Sequence, residues 1–78
     1  MKLEILTPEK TLYSGNIKSV NLPGSKGRFT LLHNHAPIIS TLEKGDIMIT
    51  TNDQKSEVIE ISGGIVEVKK NSIIVLAD

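Results

Sequence analysis

Hydrophobic and polar residues alternate in short runs along most of this chain. Near the start, Leu3 and Ile5 alternate with Lys2 and Glu4, and similar runs recur up to the last residues. Successive side chains of a strand point to opposite faces of a sheet, so a period of two indicates half-buried β-strands. Glycine, proline and asparagine recur between the runs and indicate turns. The pattern predicts strands at about residues 2–6, 10–14, 17–22, 27–32, 38–43, 46–51, 56–62, 64–69 and 72–77.

No part of the sequence favours a helix. Windows of about 11 residues lack the apolar spacing of a helix face, or are interrupted by glycine, proline and β-branched residues. Nine to ten short strands joined by close turns are typical of two packed sheets. We therefore predict an all-β fold, in which residues 1–78 form one domain, a flattened antiparallel β-sandwich with essentially no helix. A small closed barrel is the alternative.

Four isoleucines are predicted to form the centre of the core. Ile47 and Ile49 point the same way on one predicted strand, and Ile59 and Ile61 do so on the next. Residues 73–76 are apolar at every position, which predicts a central strand covered on both faces. Full burial of one isoleucine contributes about 1.5–3 kcal/mol, so a few such residues decide whether so short a chain folds.

Composition narrows the range of functions. The chain has no cysteine, which excludes disulfides, thiolate zinc sites and cysteine nucleophiles. Nine basic and nine acidic residues are interspersed and cancel, so charge gives no reason to expect nucleic acid or an anionic membrane as partner. The first residues are too few and too polar for a signal sequence, and no apolar run approaches the roughly 20 residues that span a bilayer. We expect protein partners and no direct membrane insertion.

The two histidines are the first candidates for a chemical site. His33 and His35 stand two residues apart, so an extended backbone would point both imidazoles the same way and supply two of three metal ligands. A third ligand is missing nearby, although Glu43 or Asp46 could fold back. No serine or threonine occupies the strand-to-helix turn that a nucleophile served by a histidine base needs. We expect a turn in which a histidine bonds to the backbone, with no metal, no cofactor and no catalysis.

Two glycine-containing segments are interpreted as turns. Residues 23–27 contain the glycine, serine and lysine of a phosphate-binding loop but lack its spacing and open no helix, which favours a hairpin tip. Gly63 and Gly64 predict a tight turn or bulge with positive φ or a close backbone approach. Tyr13 and Phe29 are too few aromatic residues for the stacking surface of a nucleic-acid-binding barrel.

Six short motifs occur in a fixed order along nearly the whole chain. They are Leu22-Pro-Gly with Gly27, His35-Ala-Pro37, Leu42-Glu-Lys-Gly45, Ile61-Ser-Gly-Gly64, Glu67-Val68 with Asn71, and Val75-Leu-Ala-Asp78. Together they resemble the N-terminal domain of the epsilon subunit of the F-type ATP synthase. One such motif would be weak evidence, whereas their order and compatible spacing make the resemblance specific.

The resemblance implies a function in the rotor of that enzyme. It implies a β-sandwich at the foot of the central stalk, between the gamma subunit and the polar loops of the membrane-embedded c-ring. Such a subunit is not catalytic by itself. It couples ion flow through the ring to ATP synthesis by transmitting rotation, and rigidity is its useful property. Its expected location is the cytoplasmic face of the bacterial inner membrane, as a peripheral part of a proton-translocating complex.

The resemblance also implies which residues meet each partner. The c-ring interface is expected at the tip of a hairpin and at one histidine: Ser25, Lys26, Gly27, Arg28 and His35. The gamma interface is expected around Ser40 and Ser62. Many relatives have an acidic residue where Arg28 stands, so the resemblance does not identify an ion-pair partner for this arginine.

The sequence departs from the family's pattern at its end. Typical members continue past the strand that contains Val75 into a helical hairpin, which can block ATP hydrolysis and in some relatives binds ATP. The present sequence ends at Asp78. If this is the natural end, we expect no inhibition by a helical hairpin from this chain. If the chain is part of a longer protein, nothing follows about regulation.

Overall fold

The computed structural model describes residues 1–78 and contains strands but no helix. The eight strands are β1 (Lys2–Leu6), β2 (Thr11–Leu22), β3 (Phe29–Leu31), β4 (Ile38–Leu42), β5 (Gly45–Thr51), β6 (Ser56–Ile61), β7 (Gly64–Lys69) and β8 (Ser72–Ala77). The prediction of an all-β chain is confirmed. The fold accordingly has no helix with the length and hydropathy needed to cross a bilayer.

The strands form one strongly curled mixed sheet that folds into two layers. Their order is β4-β7-β8-β1-β2-β5-β6, with β3 beside β2. The first sheet contains β4, β7, β8, β1 and the start of β2, whereas the second contains the end of β2 with β3, β5 and β6. The two layers agree with the predicted β-sandwich, and the curl makes the fold half of a barrel.

Strand β2 connects the two sheets and corrects one predicted turn. The sequence predicted separate strands at 10–14 and 17–22, but β2 runs unbroken through 12 residues. Gly15 pairs with Leu3 of β1, so the segment read as a turn is held in the first sheet. Pairing with a neighbouring strand outweighs the local turn preference of glycine. A register shift just after Ile17 marks where β2 bends into the second sheet.

The pairing of β1 with β8 corrects the predicted antiparallel arrangement. Residues Lys2–Leu6 run parallel to Ser72–Leu76, residue beside residue. The first and last strands therefore lie side by side in the middle of the first sheet. Alternation within a strand reports which face is buried but not the direction of its neighbour, which is why the sequence did not reveal this pair.

Fifteen buried apolar side chains fill the space between the two layers. Ile47, Ile49 and Ile61 are among them, while Ile59 packs against the cluster from a half-buried position. No polar or charged side chain is buried. The predicted isoleucine seam is confirmed, with Ile59 at its margin.

Strand β8 is covered on one face only. Ile73 and Val75 are buried in the core, but Ile74 is half-buried and Leu76 is exposed on the opposite face. The prediction that this strand is covered on both faces is wrong, because the second sheet covers only the inner face of the first.

Candidate functional site

Both histidines lie on the surface, and one of them forms a local hydrogen bond. His33 and His35 are exposed in the loop between β3 and β4, and His35 Nδ1 forms a hydrogen bond of 2.9 Å with the carbonyl oxygen of Ala36. No three histidine, aspartate or glutamate side chains are placed to hold a metal ion. Three other features are candidates for contact with a partner: the hairpin between β2 and β3, the loop that follows β3, and the outer face of the first sheet.

The hairpin between β2 and β3 ends in a tight turn, residues 24–28, which we call the tip. The amide of Gly27 donates to the carbonyl of Gly24 across 3.0 Å, and Gly27 has a φ of 122°. A Cβ on Gly24 would lie 2.7 Å from the ring of Phe29, so glycine is needed for this close packing. The structure thus brings Ser25, Lys26, Gly27 and Arg28 together in one turn, as the sequence predicted.

Arg28 does not point freely away from the tip. Its Nε donates a hydrogen bond of 2.6 Å to Oδ1 of Asn21, and its Nη2 donates to the backbone carbonyl of Asp46. The side-chain amide of Asn21 in turn donates to Oγ1 of Thr30 across 2.9 Å. Sequence reasoning missed Asn21. The contact of Asn21 with Arg28 depends on the hairpin register, which places Asn21 directly opposite Thr30 and is not visible in the sequence alone.

His35 lies apart from the tip. It belongs to residues 32–37, which follow the end of β3 opposite the tip. This loop meets the turn between β7 and β8, since the amide of Asn34 donates to Oδ1 of Asn71 across 3.2 Å. The predicted c-ring residues therefore occupy two places, four in the tip and one in this loop.

The two serines predicted to face gamma lie beside the same pair of strands. Ser40 is half-buried on β4, an edge strand that pairs with β7 and forms one further bridge, between Leu42 and Gly24 of the tip. Ser62 is exposed in the turn that leads into β7. Leu42, two residues after Ser40, pairs with Gly64, two residues after Ser62. Both serines thus flank the β4–β7 end of the first sheet.

The outer face of the first sheet carries exposed apolar side chains on adjacent strands. Ile39 of β4 is 68% exposed, Leu76 of β8 is 52% exposed and Ile65 of β7 is 38% exposed. Ile65 pairs with Leu76, and Ile74 and Glu67 complete a shallow groove between them. We call Ile39, Ile65, Ile74 and Leu76 the apolar face. Adjoining exposed apolar side chains of this kind typically mark a surface that binds another molecule.

The apolar face was not predicted as a site. Its signal was present in residues 73–76, which are apolar at every position, but the same signal also fits a strand buried on both faces. Only the position of the second sheet distinguishes the two interpretations.

Two ionisable groups are perturbed, and both lie near the turn between β5 and β6. The hydroxyl of Thr51 donates to Asp53 and holds the pKa of that carboxylate below its ordinary value, with Lys55 adding to the effect from 3.7 Å. Partial burial raises the pKa of Tyr13, and the negative charges of Glu57 and Asp53 raise it further. Both groups lie outside the tip and the apolar face.

Comparison with known families gives the identity of the fold. The family model described as "ATP synthase, Delta/Epsilon chain, beta-sandwich domain" matches residues 1–78. The chain belongs to this family. The ATP synthase epsilon chain of Leptospira interrogans is 44% identical over 78 residues, which are 100% of this chain and 61% of that protein. That of Chlorobaculum tepidum is 38% identical over 76 residues, 97% of this chain and 86% of that protein.

Chains in solved structures of mitochondrial ATP synthases have the same fold. A chain of the Euglena gracilis mitochondrial ATP synthase, in a structure of its OSCP, F1 and c-ring, matches with a TM-score of 0.90 at 16% identity, over 96% of this chain and 48% of that one. A chain of the Tetrahymena thermophila mitochondrial central stalk and c-ring matches with a TM-score of 0.80 at 15% identity, over 97% and 61%. The resemblance found in the sequence is confirmed. The present chain corresponds to the β-sandwich domain and spans 61% of the Leptospira relative's length.

Proposed function

We propose that this chain is a non-catalytic subunit of the ATP synthase central stalk, which transmits rotation between the c-ring and the gamma subunit. The match of the whole chain to the delta/epsilon β-sandwich family carries the proposal. The relatives are named ATP synthase epsilon chains, and a structural neighbour is part of a central stalk and c-ring. In this role the chain couples ion flow to ATP synthesis as a peripheral component, at the cytoplasmic face of a bacterial inner membrane.

The apolar face is the proposed contact with gamma. When a partner removes exposed apolar side chains from water, the complex is stabilised by about 25 cal/mol per Å² of apolar area. Ile39, Ile65 and Leu76 supply such area on one sheet. Ser62, exposed in the turn before β7, lies near its edge, as expected for the polar rim of an interface. Ser40 lies on the opposite face of β4 from Ile39 and pairs with the buried Val66, so it would meet gamma only at the edge of the sheet.

The tip and the following loop are the proposed contacts with the c-ring. Both present exposed polar side chains, Ser25, Lys26 and Arg28 in the tip and His33, Asn34 and His35 in the loop, which suits the polar loops of the ring. Lys26 and Arg28 give the tip two positive charges, and the loop adds the imidazoles of His33 and His35. Polar contacts at such a surface determine register and orientation more than affinity.

The packing of the domain suits the transmission of torque. Its fifteen core residues are apolar, and no buried side-chain nitrogen or oxygen lacks a hydrogen-bond partner. Close-packed interiors have low compressibility and transmit strain between their faces. A load applied at the tip therefore reaches the apolar face through a stiff body.

Capture of gamma by the isolated chain tests the proposal. Ile39→Glu places a charge in the apolar face, while Val58→Glu places the same charge at a residue that is 60% exposed on the second sheet. We expect Ile39→Glu to weaken capture by gamma more than about tenfold, because the new carboxylate loses its water in the interface. Val58→Glu should bind gamma as the wild type does, with both variants unfolding at similar urea concentrations.

Two results would contradict the proposal. A wild-type chain that captures no gamma would remove the proposed function itself. If Ile39→Glu and Val58→Glu changed the capture of gamma equally, the proposed function would hold but gamma would not bind at the apolar face.

A further inference from the structure

The two cations of the tip have different surroundings. Arg28 uses Nε and Nη2 of its guanidinium in hydrogen bonds within the chain. Lys26 is exposed and makes no hydrogen bond or ion pair, since the single ion pair of the chain joins Lys55 and Asp53. Arg28 is exposed as well, but only Lys26 has a charged group without contacts inside the chain.

The contacts of Arg28 connect three strands. Its Nε binds the side chain of Asn21 on β2 at 2.6 Å, while Nη2 binds the backbone carbonyl of Asp46 on β5. Thr30 on β3 fixes the amide of Asn21, so that the oxygen of this amide faces the guanidinium. A planar guanidinium can make two divergent hydrogen bonds of this kind, which the single ammonium of a lysine does not reproduce.

The backbone of the tip is joined to the same region of the fold. The amide of Ser25 donates to the carbonyl of Thr41 across 3.1 Å, and that of Glu43 donates to the carbonyl of Pro23 across 2.8 Å. A Cβ on Gly45 would lie 3.0 Å from Pro23. The hairpin thus lies against the end of β4, the turn that follows it and the start of β5, and Arg28 adds a side-chain hydrogen bond to β5 at Asp46.

We propose that Arg28 is a positioning residue that holds the tip against β5, and that Lys26 is the cation that the tip presents to its partner. The ammonium of Lys26 fits an acidic side chain on the facing loop. The second part rests on the proposed function, in which that loop belongs to the c-ring. The first part rests only on contacts within the chain.

Amide hydrogen exchange in the free chain tests the role of Arg28. We expect Arg28→Gln and Asn21→Ala each to speed exchange at Ser25 and Gly27 by about tenfold, because either change releases the guanidinium contact. Asn21→Asp keeps an oxygen facing Arg28 and should exchange at the wild-type rate. Asp46→Asn should also do so, because Asp46 accepts through its backbone carbonyl. Wild-type exchange rates in Arg28→Gln would overturn the positioning role.

Binding to a detergent-solubilised assembly of gamma with the c-ring tests the role of Lys26. We expect Lys26→Gln to weaken binding about fivefold at low salt while leaving exchange of the tip unchanged, since a surface ion pair is modest and screened by salt. Asn21→Ala should weaken binding although it keeps both cations, and Asn21→Asp should restore it. If Arg28→Gln weakens binding while Asn21→Ala does not, Arg28 touches the partner directly and the proposal is wrong.

The two measurements separate the possible failures. If the wild-type chain binds no such assembly, the proposed function and the role of Lys26 both fail. The exchange rates of the free chain would then still decide whether Arg28 holds the tip.

Discussion

The backbone amide of Asn34 donates a hydrogen bond of 3.2 Å to the side-chain oxygen of Asn71. This bond joins the loop that carries His35 to the turn between β7 and β8. Both asparagines have positive φ, 65° and 61° respectively, a region that asparagine tolerates better than most residues. Asn71 therefore contributes to stability in two ways: it tolerates the left-handed backbone of its turn, and its side chain holds the neighbouring loop.

Substitution of Asn71 should separate these two contributions. Asn71→Ala loses the hydrogen bond and strains the left-handed backbone, so we expect the free energy of unfolding to fall by about 2 kcal/mol. Asn71→Gly loses only the hydrogen bond and should cost about 1 kcal/mol. Urea denaturation measures both. Equal losses in the two variants would show that the backbone conformation contributes nothing.

Replacement of Gly64 should be far more harmful than replacement of another strand glycine. A Cβ on Gly64 would lie 2.2 Å from the carbonyl oxygen of Leu76, and the φ of Gly64 is +151°. We expect Gly64→Ala to lower the free energy of unfolding by at least about 2 kcal/mol. Gly15→Ala is the matched control, because its nearest atom would be the Tyr13 hydroxyl at 3.5 Å. A control variant as unstable as Gly64→Ala would refute the steric explanation.

The stability of the chain in acid should depend on Asp53. Its pKa is lower in the folded chain than the ordinary value of 3.8, chiefly because Thr51 donates a hydrogen bond to it. The folded state then binds fewer protons than the unfolded state between these two values. This contribution to stability is complete above the ordinary value and is lost as the pH falls through the folded pKa. In Asp53→Asn, the free energy of unfolding should therefore vary less with pH below 3.8.

Urea unfolding of the wild type and of Asp53→Asn at a series of pH values checks this prediction. Identical acid slopes for the wild type and Asp53→Asn would show that the carboxylate has the same pKa in both states. Thr51→Val provides an independent comparison, since it removes the hydroxyl and keeps the charge.

Alternation predicted the strands best where one face is buried and one is exposed. The bounds of β1, β7 and β8 agree with those predicted from the sequence. The prediction failed inside β2, where Gly15 has the local signature of a turn but pairs with Leu3 of the neighbouring strand. Contacts between strands decide such positions, and a single sequence does not show which strands are neighbours.

The candidate site was predictable to the extent that it depends on turns. Pro23 and Gly24 indicated the hairpin, and the tip lies where they placed it. The bonds of Arg28 depend on hairpin register and on the packing of β5, neither of which local sequence specifies. The apolar face was missed because residues apolar on both sides of a strand fit equally well under a second layer or against a partner.

Strand β8 is the last of the eight strands in chain order, yet it lies between β7 and β1 in the middle of the first sheet. Until residues 72–77 leave the ribosome, β1 has only β2 beside it and β7 has only β4. The nascent chain therefore carries two unfinished edges with apolar inner faces, a condition that favours misassembly and chaperone binding. Productive folding must wait for the final strand, and ribosome-bound chains stopped before Ser72 should remain open to protease.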